Sequence, residues 1–129
     1  MDNINIPISP GELLDKITIL EIKAEHIQSE EKLLSIKTEL KLLNMTWEKS
    51  SLNSNDIQIL KQQLKVNNKN LWDTENQIRI KESNKEFDQE FIELARSVYI
   101  QNDKRTATKR KINEQLGSKI VEEKSYAEY

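Results

Sequence analysis

Arg105 and Lys109 stand where an apolar residue is expected. Phe87, Phe91, Leu94, Val98, Ile112 and Leu116 recur at steps of three and four, and the same step carried through the gap lands on Asn102, Arg105 and Lys109. An ideal helix advances about 100° per residue, so both cations share the line of the apolar stripe. A buried charge without a partner is costly. The pattern therefore calls for an anionic counterpart: carboxylates of a neighbouring helix, a partner chain, or a small anionic ligand. A second stripe, Ile57, Leu60, Leu64, Leu71, Trp72 and Ile78, is interrupted in the same way by Asn68, Glu75, Arg79 and Glu82. The candidate binding residues are thus Asn68, Glu75, Arg79, Asn102, Arg105 and Lys109. Antiparallel pairing of the two stripes would set Glu75 and Arg79 near Phe91 to Val98, and Arg105 and Lys109 near Leu64 to Asn68. Glu21 and Glu25, nearer the N-terminus, are further possible partners. An ion-pair network that fixes register, a pocket for an anionic ligand and a subunit interface all fit this cluster.

Other chemistry finds less support. Glu90-Phe91-Ile92-Glu93 has the spacing with which helical nucleotide pyrophosphohydrolases hold magnesium, but no Glu-x-x-Asp stands opposite it, so surface ion pairing is expected and no metal site. The first helix carries two apolar stripes, one of Leu13, Ile17, Leu20, Ala24 and Ile27, and one of Leu14 and Ile22 that returns as Ile36, Leu40, Leu43 and Trp47. His26 is the sole histidine and lies off both, which predicts a solvent-facing ring rather than a ligand or a base. No cysteine is present, no glycine-rich phosphate loop or Ser-His-Asp arrangement can be assembled, and no cofactor or catalytic residue is assigned. The basic run from Lys104 to Lys111 spreads around a helix axis and lacks interleaved aromatics, which argues against a nucleic-acid face.

The elements that must position the cluster are helices. Two glycines and two prolines in 129 residues leave little turn material, and charged residues make up 33%. The formal net charge of −2 argues against wholesale binding to nucleic acid or to an anionic membrane. The N-terminus lacks a basic, then continuously apolar, leader, and no segment approaches the roughly 18 apolar residues of a membrane span. A cytoplasmic protein is expected. Residues 1–8 read as an extended arm. Ser9-Pro10-Gly11-Glu12 is a helix start, with Ser9 as cap and Pro10 at the first helical position.

Helix 1 is expected over 9–45, helix 2 over 56–82 and helix 3 over 88–116, with Gly117 as C-terminal cap and 117–129 as a tail docked through Ile120, Val121 and Tyr126. At 1.5 Å per residue the first helix would be about 54 Å long, more than two shorter helices can cover. The expected fold is therefore all-α: an elongated antiparallel bundle of three long helices in a single domain, completed by homodimerisation.

The segments Ser9-Pro10-Gly11-Glu12-Leu13-Leu14-Asp15-Lys16-Ile17-Thr18-Ile19-Leu20-Glu21-Ile22-Lys23, Ala95-Arg96-Ser97-Val98-Tyr99 with Asn102-Asp103 and Arg105, and Lys109 with Ile112-Asn113, Gly117-Ser118 and Glu122-Glu123-Lys124-Ser125-Tyr126 occur together. In these the chain resembles a bacterial domain-of-unknown-function family of small helical proteins that open with SPGELLDKITILEIK. The resemblance implies an intracellular protein and brings no catalytic residue. In architecture the expected helices are also similar to the all-helical chorismate mutases, which hold a dianion between arginines and lysines. That analogy would offer Lys16, Lys23, Arg79, Arg105 and Lys109. Two functions follow: a cytoplasmic binding or assembly module, or an enzyme or binding protein for a small anionic metabolite. An open cation-lined cavity would favour the second, and a dry cluster with every charge paired the first.

Overall fold

Ser9 opens the first helix through its side chain. Its hydroxyl accepts the Glu12 amide at 3.1 Å, Pro10 occupies the first helical position, and Glu12 adds an acidic group to the first turn. The computed structural model describes residues 2–129; Met1, part of the expected arm, lies outside the described residues. Four helices follow one another with no strand among the described residues: α1, Pro10–His26; α2, Glu30–Ser50; α3, Asn55–Ser83; and α4, Gln89–Gln115.

The expected single helix over 9–45 is two helices. The backbone leaves α1 at Ile27, which is extended, and Ser29 caps α2 by accepting the Lys32 amide at 3.4 Å. Glu30 and Glu31 then fill the first turn of α2, where the helix dipole favours anions. A serine cap and two glutamates break the helix without glycine or proline. This is why the break is hard to see in a sequence scanned for those two residues. The all-α expectation holds, but with four helices rather than three.

The later boundaries follow their caps. Ser54, two residues before the expected start at 56, accepts the Ile57 amide at 3.2 Å, and Asp88 accepts that of Phe91 at 3.0 Å. At the end of α4, Gly117 takes φ +63°, and the amide of Ser118 reaches back to the Asn113 carbonyl at 2.9 Å. This is the left-handed C-terminal cap that the position of Gly117 predicts.

α3 and α4 form an antiparallel hairpin, tied by Asn67 to Thr108 at 2.9 Å and by Gln101 to Thr74 at 3.2 Å. α1 runs antiparallel to α4 and touches every other helix, whereas α2 packs on α1 alone. α1 is accordingly covered around most of its circumference, with Leu13, Leu14, Ile17, Leu20 and Ile22 buried. Its Leu13, Leu14 and Ile17 meet Trp47, Ile57, Leu64 and Ile112 in the apolar core.

The stripe of α4 divides in two. Ile112 is fully buried, whereas Phe87 is 57% exposed and packs edge-to-face on Phe91 at the hairpin tip. The tail is exposed, including Ile120, Val121 and Tyr126 that were expected to dock it. Charge and hydrogen bonds hold it instead: Lys124 and the Tyr129 hydroxyl both reach Asp103, and Arg110 donates to the Glu122 carbonyl at 3.2 Å.

Gly11 is the tightest point between α1 and α4. A Cβ there would lie 2.6 Å from the Lys109 carbonyl oxygen and 2.8 Å from Asn113 Oδ1. The Gly11 amide donates to that same Asn113 oxygen at 2.7 Å. Helix propensity alone would make Gly11→Ala stabilising by about 1 kcal/mol. The close approach reverses the sign: Gly11→Ala should lower the urea-unfolding free energy by about 1–3 kcal/mol. A stability equal to or above that of the parent protein would show that α1 does not sit this close to α4.

Candidate functional site

Asp15 lies one turn inside α1 with 1% of its surface exposed. Arg105 of α4 clasps it with two parallel hydrogen bonds, Nε to Oδ1 at 2.9 Å and Nη2 to Oδ2. Asn68 of α3 donates to Oδ1 at 2.9 Å, and the same amide nitrogen donates to the Thr18 hydroxyl at 3.0 Å. Lys109 completes the ring. Its ammonium sits 2.7 Å from Glu12, 2.9 Å from Glu122 of the tail and 3.7 Å from Asp15. Three helices therefore converge on one carboxylate, the tail joins them through Lys109, and every charge in the cluster has an opposite charge beside it.

The spacing places the donors. Arg105 and Lys109 are one turn apart on α4, as are Glu12 and Asp15 on α1, so the antiparallel pair meets in register. Burial acts most strongly on Asp15 and by itself would raise its pKa. The hydrogen bonds from Arg105 and Asn68, with the charges of Arg105 and Lys109, outweigh it and hold the carboxyl below its ordinary 3.8. Lys109 is the mirror case. Burial pulls it down, but Glu12, Glu122 and Asp15 hold it above its ordinary 10.5.

Of the residues singled out by register, Asn68, Asn102, Arg105 and Lys109 come together. Asn102 accepts from Arg105 Nη1 at 3.4 Å. Glu75 and Arg79 do not join them. Arg79 is 80% exposed in its side chain and pairs with Glu75 at 3.4 Å; Glu82 is exposed too. α1 has 17 residues and α3 has 29, about 25 Å against 43 Å, so α1 leaves part of the α3 stripe uncovered. Nor do Glu21 and Glu25 meet the α4 cations. They pair with Lys61 and Lys65, the closest contact being Lys65 to Glu25 at 2.6 Å. Lysine's ability to lift its ammonium to solvent suggests a shallower place for Lys109 than for Arg105. The side chains show the reverse, 5% against 29% exposed.

Sequence reasoning missed Asp15 and Glu12 as the anionic partners. The signal was present: Gly11, Asp15, Thr18 and Ile22 recur at steps of four, three and four, and all are buried. The remaining candidates of the chorismate-mutase analogy do not gather here, since Lys16 is exposed and pairs with Glu12 at 3.7 Å. Glu90 bonds Lys81 at 3.1 Å, and among the described residues no group of acidic or histidine side chains is placed to hold a metal ion. His26 is exposed, leaning on Trp72 at a centroid distance of 5.8 Å.

Beside the cluster a cleft of about 500 Å³ opens between Ile19, Leu71, Trp72, Arg79, Asn102 and Arg105. No helix is long and apolar enough to cross a membrane among the described residues.

These features belong to a small all-helical domain built around an internal polar cluster. The chain is a member of a family of unknown function, DUF6165, whose match covers residues 4–129. Comparison with curated proteins and with solved structures finds no match.

The depressed pKa of Asp15 fixes a sign. The folded value lies below the unfolded one, so its contribution to stability is present above about pH 4 and is lost as pH falls through the folded value. Asp15→Asn keeps the shape but removes the charge. It should cost about 3 kcal/mol at pH 7, and the gap to the parent protein should narrow at pH 3. Equal gaps in urea midpoint at the two pH values would mean that Asp15 is not held ionised.

Proposed function

We propose that this protein is a helical binding and assembly module, and that its internal charge cluster is a structural lock rather than an anion-binding catalytic site. The observation that supports this reading is the closure of the cluster. Asp15, Glu12 and Glu122 already answer Arg105 and Lys109, so no surplus positive charge awaits an anionic metabolite. A pocket for a dianion would hold cations that repel each other until the ligand arrives. The cytoplasm is the compartment proposed for it, in keeping with a net charge of −2.

Assembly is proposed to occur between two copies of the chain. With the break at Ile27 no overlong first helix is left to cover, and α1 is too covered to form the interface. α2 takes that place in the proposal. It packs on α1 alone, and Leu34, Leu42 and Met45 are exposed at steps of eight and three. Leu34 and Leu42 flank Thr38 along one line. Antiparallel self-pairing would bring Leu42 of one copy towards Leu34 of the other and satisfy two-fold symmetry.

Two measurements test the proposal. Arg105→Ala should lower stability by about 3 kcal/mol, because it strands the Asp15 carboxylate; a neutral or stabilising effect would instead indicate a functional charge site. Light scattering of the parent protein should give a dimer, and Leu42→Glu a folded monomer. A parent protein that stays monomeric at high micromolar concentration would rule out the assembly.

A further inference from the structure

The cleft next to the cluster holds polar groups that the fold leaves unused. Asn68 is 5% exposed, so its amide is almost wholly withdrawn from water. Its nitrogen is committed to Asp15 and to Thr18. An ionised carboxylate can only accept, which fixes the orientation of the amide and leaves its oxygen as the free end. That oxygen receives no hydrogen bond from any described residue, and Asn68 lines the cleft. Arg105 lines it as well. Of the five N–H groups of a guanidinium, three are taken by Asp15 and Asn102, so two remain. The amide nitrogen of Asn102, on the same wall, likewise has no partner among the described residues. Apolar surface in the lining comes from Ile19, Ile22, Leu71 and Trp72.

We propose that this cleft binds a free α-amino acid with an apolar side chain. A lone acceptor in the cleft beside a set of spare donors fits an ammonium next to a carboxylate. The carboxylate takes the outward N–H groups of Arg105 and the amide nitrogen of Asn102. The ammonium donates to Asn68 Oδ1. The side chain lies on Leu71 and Trp72. Charge balance selects the zwitterion over a simple anion, since Asp15 already neutralises Arg105 and a net-neutral ligand leaves the lock intact. The volume of about 500 Å³ falls within the roughly 300–1,000 Å³ of small-ligand sites. This site is separate from the proposed α2 interface, and its failure would leave the assembly reading standing.

The test titrates the full chain with L-leucine and L-phenylalanine by calorimetry, following Trp fluorescence in parallel. Both should saturate. 3-Phenylpropionate, which lacks the ammonium, and phenylalaninamide, which lacks the carboxylate, should bind at least about tenfold more weakly. In the unmodified protein the side-chain amide NMR signals of Asn68 and Asn102 should shift during the L-leucine titration. Asn102→Ala should weaken binding about tenfold while the free protein keeps its cooperative melt. The proposal is overturned if neither amino acid gives a saturable signal by about 10 mM, if 3-phenylpropionate binds as tightly as L-phenylalanine, or if the shifted signals exclude Asn68 and Asn102.

Discussion

A carboxylate with 1% of its surface exposed cannot stay ionised unless donors surround it, and Asp15 sets that condition for the whole chain. Its donors come from α3 and α4, so both helices must arrive at α1 in one register. The arginine fork fixes direction as well as distance, because two parallel hydrogen bonds are lost together if either helix rotates. One turn earlier on α1, Gly11 lets the two backbones close to contact, and its amide meets Asn113. A larger residue there would push the fork off its carboxylate. The steric and the electrostatic requirements are thus one requirement, met by two residues four positions apart.

Apolar packing alone would not impose this order. The core of Leu13, Leu14, Ile17, Trp47, Ile57, Leu64 and Ile112 is aliphatic apart from one tryptophan, and such contacts tolerate small slips along the helix axes. The polar groups do not tolerate them. Asn67 to Thr108 and Asn68 to Asp15 are adjacent on α3 and reach different partner helices, so a slip of one turn would orphan both. Replacing a buried ion pair with apolar residues is often neutral or stabilising, so the cluster is weak evidence for stability as such. Its contribution lies in selecting one arrangement of α1 against the hairpin.

How much of this could be read from the sequence depends on what each residue interrupts. Arg105 and Lys109 were legible because they stand in an apolar period, and a cation in that place has to be explained. Asp15 was not, because an acidic residue early in a helix has an ordinary reading as a partner of the helix dipole. The helix starts at Ser9 and Asp88 follow cap chemistry, and the one at Ser29 follows it equally. The second stripe of the expected first helix hides it, because its apolar period returns beyond the break at Ile36 and Leu40. Glu75, Arg79 and Glu82 share the arc of the α3 stripe, yet α1 is too short to cover them. Helical phase reports which residues share a face; it does not report how far the neighbouring helix extends.

The tail shows the same logic at the surface. Glu122 lies near the end of the chain and Glu12 near its start, yet both carboxylates meet the ammonium of Lys109. The other ion pairs of the tail, Arg110 with Glu123 and Lys124 with Asp103, are more open to solvent and are screened by salt. The Glu122 contact differs in having its cation 5% exposed, in a setting where screening is weak. Lys109 keeps Glu12 and Asp15 if the tail lifts, so the lock does not depend on the tail. The tail does depend on the lock, because its best-shielded contact is a cation placed by α4 for the sake of Asp15. Order therefore passes outward in this fold, from one buried carboxylate to the helices that supply its donors, and from those helices to the segment that follows them.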